Sequence, residues 1–335
     1  MLDSTALQKI DSQKMYQVYD KWPQIARNTW ESDLETIHFD NLNHIIFAGM
    51  GGSGAIGEIF QAILSKSKIH ISVVSGYNLP STTDSNTLVI PISVSGNTDE
   101  TLTILESANL LKCKIVAFAS GGKIQEYCIK NNIKFQQISQ DHSPRGSFVR
   151  YLYSILKILQ STLKIKSSDV DESIKILEEM QKDVSSQNLT NSNSAITLAK
   201  FISGIPLIYY PWGLQSAAIR FKNSLNENAK LHVIHDDIVK ATHNDIVAWM
   251  KKADVTPIII SGPDDYYKTK KIMEKCKIFL NKLNIDYYQI NTVEGSILTK
   301  LIYLIYLCDY ASIYTSILTE TDPSPVEPIK YFKQN

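Results

Sequence analysis

Ser93, Ser95 and Thr98 place three hydroxyls within six residues, where an apolar run gives way to a helix-compatible stretch. Hydroxyl donors beside the free amides of a helix start can hold a phosphate without a large positive charge. A Ser or Thr ahead of Glu100 is also how many helices are capped, but a cap needs only one hydroxyl. The pattern therefore favours an anion seat. Earlier in the chain, Gly49-Met50-Gly51-Gly52-Ser53-Gly54 lies between an apolar run and a second helix-compatible stretch. Such glycines let backbone approach a ligand closely. They also satisfy GxGxxG, the pattern of a dinucleotide turn, which requires an acidic residue roughly 20 positions on. The first acid there is Asp84, beyond the expected turn, so NAD binding is disfavoured. A plain strand-to-helix turn without a ligand stays open.

Two further places could carry proton chemistry. Glu227 sits among Asn223, Asn226 and Asn228 at the end of an apolar-patterned helix, and sixteen residues later His243 opens another helix beside Thr242 and Asn244. A carboxylate and an imidazole at element ends can act as acid and base, although lone examples of either are mostly surface groups. Arg145, after Pro144 and before a helix, says little alone, because a solvated arginine is the usual case. No metal is expected. His232 and His235 are too few to hold one, and Cys113, Cys128, Cys276 and Cys308 form no CxxC pair.

Short apolar runs position these residues. His44–Gly49, Ile71–Val74, Thr87–Ser93 and Lys114–Ala119 read as buried strands, with helices at Ala55–Leu64, from Thr98 and from Lys123. A second series reads as Ile205–Pro211, Leu231–Ile234, Val255–Ser261 and Asp286–Ile290. Strands alternating with helices indicate parallel sheets covered on both faces. Residues 4–30 read as one amphipathic helix leading into the first domain. Residues 147–200 read as mostly helical and polar, with the Ser/Asn-rich Ser185–Ser194 as a loop or domain junction. FAGMGGSGAIGEIF and YYPWGLQSAAIRFK are faintly alike, as two copies of one α/β unit would be.

At 335 residues, two domains are expected, at 1–155 and 156–335. The 34 basic residues match the 34 acidic ones, which speaks against non-specific nucleic-acid binding. Unpaired thiols and a polar N-terminus suggest the cytoplasm. Leu301–Leu318 is apolar, but Asp309 near its middle favours a helix buried between domains over a membrane span.

Taken in order, GMGGSG, SVSGNT, SPRG, LNENAK, THND and YLIYLCDYASIY followed by DPSPVEPIKYFK resemble the bifunctional phosphoglucose/phosphomannose isomerase family, a branch of the sugar-isomerase (SIS) superfamily. The resemblance spans nearly the whole chain. It implies an α/β fold of two SIS domains, each a parallel sheet flanked by helices. It implies an aldose–ketose isomerase that works on 6-phosphosugars through a cis-enediol, without metal or cofactor. By position, Gly51, Gly52 and Ser53 would meet the sugar, and Ser93, Ser95 and Thr98 its phosphate. Arg145 would stand beside the enediolate, Glu227 would be the base, and His243 would open the ring. Lys333 would lie near the ring oxygen, a looser match because Lys330 is close and Lys300 is also C-terminal. The family is dimeric, with the histidine donated by the neighbouring subunit. Val94 replaces the aromatic residue often found between the two serines, and IVKAT before His243 departs from the usual proline- and acid-containing stretch. A non-catalytic SIS regulator, or an SIS isomerase of another sugar phosphate, is the alternative.

Overall fold

The computed structural model describes residues 2–332, so Lys333 lies outside the described residues. The chain forms two compact units: Lys21–Asp171, and the described parts of Met1–Asp20 with Glu172–Asn335. Residues 2–20 thus belong with the second unit, and 156–171 with the first.

The first unit holds a five-stranded parallel sheet of β1 (His44–Ala48), β2 (His70–Val74), β3 (Thr87–Ser93), β4 (Lys114–Ala119) and β5 (Lys134–Gln137). The spatial order is β2-β1-β3-β4-β5. β1 and β3 are buried at every position, as expected for a sheet with both faces covered. Helices α1 (Gly52–Ile63) and α2 (Asp99–Leu110) follow β1 and β3. The order reverses between β1 and β3, and their carboxyl ends face one crevice there.

The second unit repeats the plan with four parallel strands in the order β7-β6-β8-β9: β6 (Ile205–Tyr210), β7 (Ile234–Asp237), β8 (Val255–Ser261) and β9 (Tyr288–Asn291). α3 (Gln215–Ser224) follows β6. α4 (Ile297–Leu318) is buried almost throughout. It is long and apolar enough to cross a membrane, yet 89% of its most apolar window is inside the protein. It packs within its own unit, against Ser194–Phe201 and α3, so it is the core helix of that unit.

The leading segment is three helices rather than one: Ser4–Ile10, Met15–Asp20 and Trp22–Trp30. The Asp11 carboxylate, fully buried, accepts from the Tyr16 amide (3.0 Å), which turns the chain after the first. Pro23 lies in the first turn of the third, where a missing N–H does no harm. Ser185–Ser194 is a loop inside the second unit, and its Asn193 side chain caps the next helix through the Ile196 amide (3.0 Å). Phe148–Ile158 is buried and largely apolar, not polar. β7 starts three residues after the hydrophobic run suggests, because Leu231 closes the preceding turn. Its N–H donates to the Leu225 carbonyl (3.3 Å), and its carbonyl accepts from the Asn226 side chain (2.5 Å).

Asp309 explains the charge inside α4. Arg220 of α3 donates to one of its carboxylate oxygens through Nε (3.0 Å) and Nη2 (2.6 Å), and Ser224 Oγ donates to the other (2.6 Å). All three side chains are buried. Removing one partner of a buried pair leaves an uncompensated charge, at a cost of about 3–5 kcal/mol. Asp309→Ala should lower the urea-unfolding stability of the second unit by that amount. A loss below about 1 kcal/mol would mean that the pair does not hold α3 to α4.

Candidate active site

In the first unit, two strand-to-helix turns meet. Gly49 packs so closely on β3 that a Cβ there would lie 2.9 Å from the Ile92 carbonyl, next to Ser93, and 3.0 Å from Ser53 Cβ. Gly51 turns the chain into α1 with φ +54°, a conformation glycine adopts without penalty. The Pro144–Arg145 backbone lies against Gly52, since a Cβ on Gly52 would meet Arg145 Cα at 3.7 Å. Gly51, Gly52, Ser53 and the Arg145 segment are thereby neighbours. Arg145 is not the solvated arginine that its sequence context suggested: it is only 5% exposed.

The Ser93–Thr98 loop is held by its own polar groups. Ser93 Oγ donates to Thr98 Oγ1 (2.9 Å) and accepts from the Gly96 amide (3.1 Å). Ser95 Oγ accepts from the Asn97 amide (3.3 Å). The Asn97 side chain in turn accepts from the Lys123 amide (3.1 Å). Thr98 is the N-cap residue of α2, but its side chain makes no capping bond. The Thr98 hydroxyl therefore does not serve the helix, and the hydroxyl hydrogens of Ser95 and Thr98 can turn toward a ligand. A helix start leaves its first amides for the same ligand. A narrow crevice beside the loop is lined by Gly49, Met50, Gly76, Glu100 and Thr101. Thr101 was not singled out from sequence. Its hydroxyl is buried and makes no hydrogen bond, whereas Thr103, two residues on, donates to the Asp99 carbonyl four residues back (3.0 Å). The spacing of three between Thr98 and Thr101 puts both on the same side of α2 and was the available signal.

Asp84, the acid weighed for a dinucleotide ribose, sits at the other end of the sheet. Its carboxylate accepts from the Asn86 amide (2.8 Å) and the Thr87 hydroxyl (3.1 Å) where β3 begins. It is a turn-forming residue, far along the strand from the glycine loop.

In the second unit, α3 runs into a π-helical turn, Leu225–Ala229, that carries Glu227. Such turns are rare and occur often at functional sites. Glu227 is half-buried, while Asn228 beside it is fully buried and donates to Ser312 Oγ of α4 (2.8 Å). The turn ends at Lys230, which has left-handed backbone (φ +56°) and whose ammonium donates to the Glu227 carbonyl (2.6 Å). His243 is exposed on the turn ahead of a 3-10 helix, Asp245–Met250, rather than at a helix start. Lys300, one of the alternative C-terminal lysines, is paired with Asp264. The cysteines are free, and burial pushes the Cys128 and Cys276 thiols up to about 11, which removes them as nucleophiles at neutral pH. Among the described residues, no three His, Cys, Asp or Glu side chains come together as a metal site.

The SIS domain family model matches residues 38–145, and the model of the bacterial phospho-glucose isomerase C-terminal SIS domain matches 191–335. A bifunctional phosphoglucose/phosphomannose isomerase of Caldicellulosiruptor bescii is 28% identical over 88% of this chain and 89% of its own. One of Thermoplasma volcanium is 30% identical over 87% and 90%. The chain belongs to the bifunctional phosphoglucose/phosphomannose isomerase family. Membership makes it an isomerase and accounts for the two parallel sheets. The family has neighbours with other names: a D-glucosamine-6-phosphate 4-epimerase of Sulfolobus acidocaldarius is 28% identical over 75% of this chain and 78% of its own. Among solved structures, a hypothetical protein from Thermus thermophilus superposes with a TM-score of 0.75, covering 98% of this chain and 92% of its own, at 13% identity. That likeness concerns the fold alone.

Gly96 tests the loop. Its φ is +68°, and a Cβ there would lie 1.8 Å from the Gly121 carbonyl. Gly96→Ala must displace the loop and should weaken sugar-phosphate binding at least about tenfold, or about 1.4 kcal/mol, by calorimetry on protein with unchanged circular dichroism. Unchanged affinity would remove this loop as the anion seat.

Proposed function

We propose that the chain interconverts glucose 6-phosphate, and mannose 6-phosphate, with fructose 6-phosphate by proton transfer through a cis-enediol. The observation that carries the reading is the Ser93–Thr98 loop, where Ser93 takes up Thr98 as an internal partner and a helix start is left uncapped by side chain. Such a seat suits a dianionic phosphate better than a neutral sugar.

In this reading Ser93, Ser95 and Thr98 hold the phosphate, and Gly51, Gly52 and Ser53 meet the sugar. His243, with Lys333 from the C-terminal segment, moves a proton between ring oxygen and anomeric hydroxyl, which opens the ring. Glu227 takes the proton from C2 and returns it to C1. Arg145 stabilises the negative charge that develops on the enediolate oxygens. General acid–base steps of this kind supply roughly 10²–10⁴-fold each. They call for no Lewis acid or nucleotide, so metal and cofactor independence belong to the proposal, as does a cytoplasmic setting.

We read His243 as serving the partner subunit of a homodimer. Its turn is exposed, and Val247 and Met250 just beyond it are 65% and 76% exposed. Apolar side chains grouped beside an exposed imidazole suit an interface. The epimerase relative supports a second reading, in which an amino-sugar phosphate is the substrate. A non-catalytic regulator would have no use for Glu227 and His243 together.

The test is turnover of glucose 6-phosphate, mannose 6-phosphate and glucosamine 6-phosphate, each with EDTA and no nucleotide. The first two should give fructose 6-phosphate. Conversion of glucosamine 6-phosphate alone would select the second reading, and no conversion of any would favour the regulator. Glu227→Gln should lose turnover at least about 10³-fold while still binding fructose 6-phosphate, and near-normal turnover would remove it as the base. Glu227→Gln and His243→Ala, each inactive, should regain about a quarter of wild-type activity when unfolded and refolded together, because half the dimers then hold one intact site. No regain would place His243 in its own subunit's site or outside catalysis.

A further inference from the structure

Lys230 is the last residue of the sequence motif around Glu227, and no step of the proposed reaction uses it. Its ammonium lies within hydrogen-bond reach of four main-chain carbonyls, from two stretches of chain. Two belong to the π-helical turn: Glu227 (2.6 Å) and Asn228 (3.5 Å). Two belong to the C-terminal segment: Asp322 (3.0 Å) and Pro323 (3.3 Å). The next residue of that segment is fixed separately. Ser324 Oγ donates to the buried Asp11 carboxylate (3.1 Å), whose other oxygen accepts the Tyr16 amide. Pro323 and Pro325 restrict the backbone on either side of Ser324. The chain then enters the short helix Glu327–Tyr331, which leads toward Lys333.

We propose that Lys230 is a positioning residue that couples the turn bearing Glu227 to the C-terminal segment, so that both are set by one cation. Three features support this. Its bond to the Glu227 carbonyl is on the backbone of the very residue whose carboxylate must be aimed. Its left-handed backbone ends the π-helical turn, and its side chain lies back over that turn. An ammonium gives three hydrogens to carbonyl oxygens, each such bond to a charged donor being stronger than a neutral one. The turn is held to α4 on both sides of Glu227, through Ser224 and Asp309 and through Asn228 and Ser312. Lys230 adds the tie to the C-terminal segment, which those two bonds do not make. The inference rests on the reading of Glu227 as the base.

The test separates the arm from the backbone. Asn favours left-handed backbone but cannot reach the C-terminal carbonyls, so Lys230→Asn removes only the arm. Lys230→Met removes the charge and keeps most of the apolar stem, and Lys230→Arg restores a donor. Lys230→Asn and Lys230→Met should lower kcat for glucose 6-phosphate about ten- to hundredfold, as a displacement near 1 Å does. KM should change less than about twofold, and Lys230→Arg should recover most of kcat. A purely structural role would lower the thermal midpoint and leave kcat per folded molecule unchanged, and that result overturns the inference. Glu227→Gln measured alongside tells the two readings apart. If it is inactive while both Lys230 variants keep wild-type kcat, the coupling fails and the base stands. If it is active, the reading of the base fails and takes this inference with it.

Discussion

The second unit depends on one buried carboxylate. Asp309 lies in the middle of an apolar helix and is wholly enclosed. An ionised group in that position is tolerable only if it is fully paired. Arg220 and Ser224 from α3 supply the partners, which fixes the end of α3 against α4. The chain leaves that end through a π-helical turn, and Ser312, one turn after Asp309, receives Asn228 from it. Glu227 is therefore set by residues on both sides that are bonded to α4. A glutamate on an ordinary frayed helix end would sample several directions. Here the polar cluster beneath it restricts the backbone that carries it.

The first unit depends on backbone rather than charge. Parallel strands deliver their carboxyl ends to one side, and the reversal of order between β1 and β3 leaves a crevice there. Gly49 lets β1 lie against the end of β3, and Gly96 lets the hydroxyl loop lie against Gly121. The same loop shows how a common motif takes another role. Thr98 stands where a cap would be and is bonded to Ser93 instead.

Much of this was legible in the sequence. Thr87–Ser93, Lys114–Ala119 and Val255–Ser261 are strands over the expected residues, because buried parallel strands read as unbroken apolar runs. The glycine and hydroxyl loops are strand-to-helix turns, as their composition required. What failed was decided by non-local or side-chain contacts. The leading segment keeps a helical period through residue 30, but the Asp11 carboxylate and Pro23 divide it. β5 is short and half polar and gave no pattern. β7 lost Leu231 to the closure of the π-helical turn. Asp309 in an apolar run was readable as evidence against a membrane span. Its partner Arg220 is 89 positions away, and no local rule pairs them. The burial of Arg145 was likewise invisible, since nothing near Pro144 says what covers it. Lys333 lies outside the described residues, so its role stays with the family resemblance.

In the proposed chemistry a carboxylate on this turn removes a proton from C2 and returns it to C1. Isomerisation of glucose 6-phosphate in D2O tests it most directly, with fructose 6-phosphate read by mass and NMR during the first turnovers. Deuterium is expected at C1 of the product, because a glutamic acid proton exchanges with solvent between abstraction and return. Complete transfer of the original C2 hydrogen to C1, with no deuterium incorporated at any pH or temperature, would contradict it and point to a hydride shift.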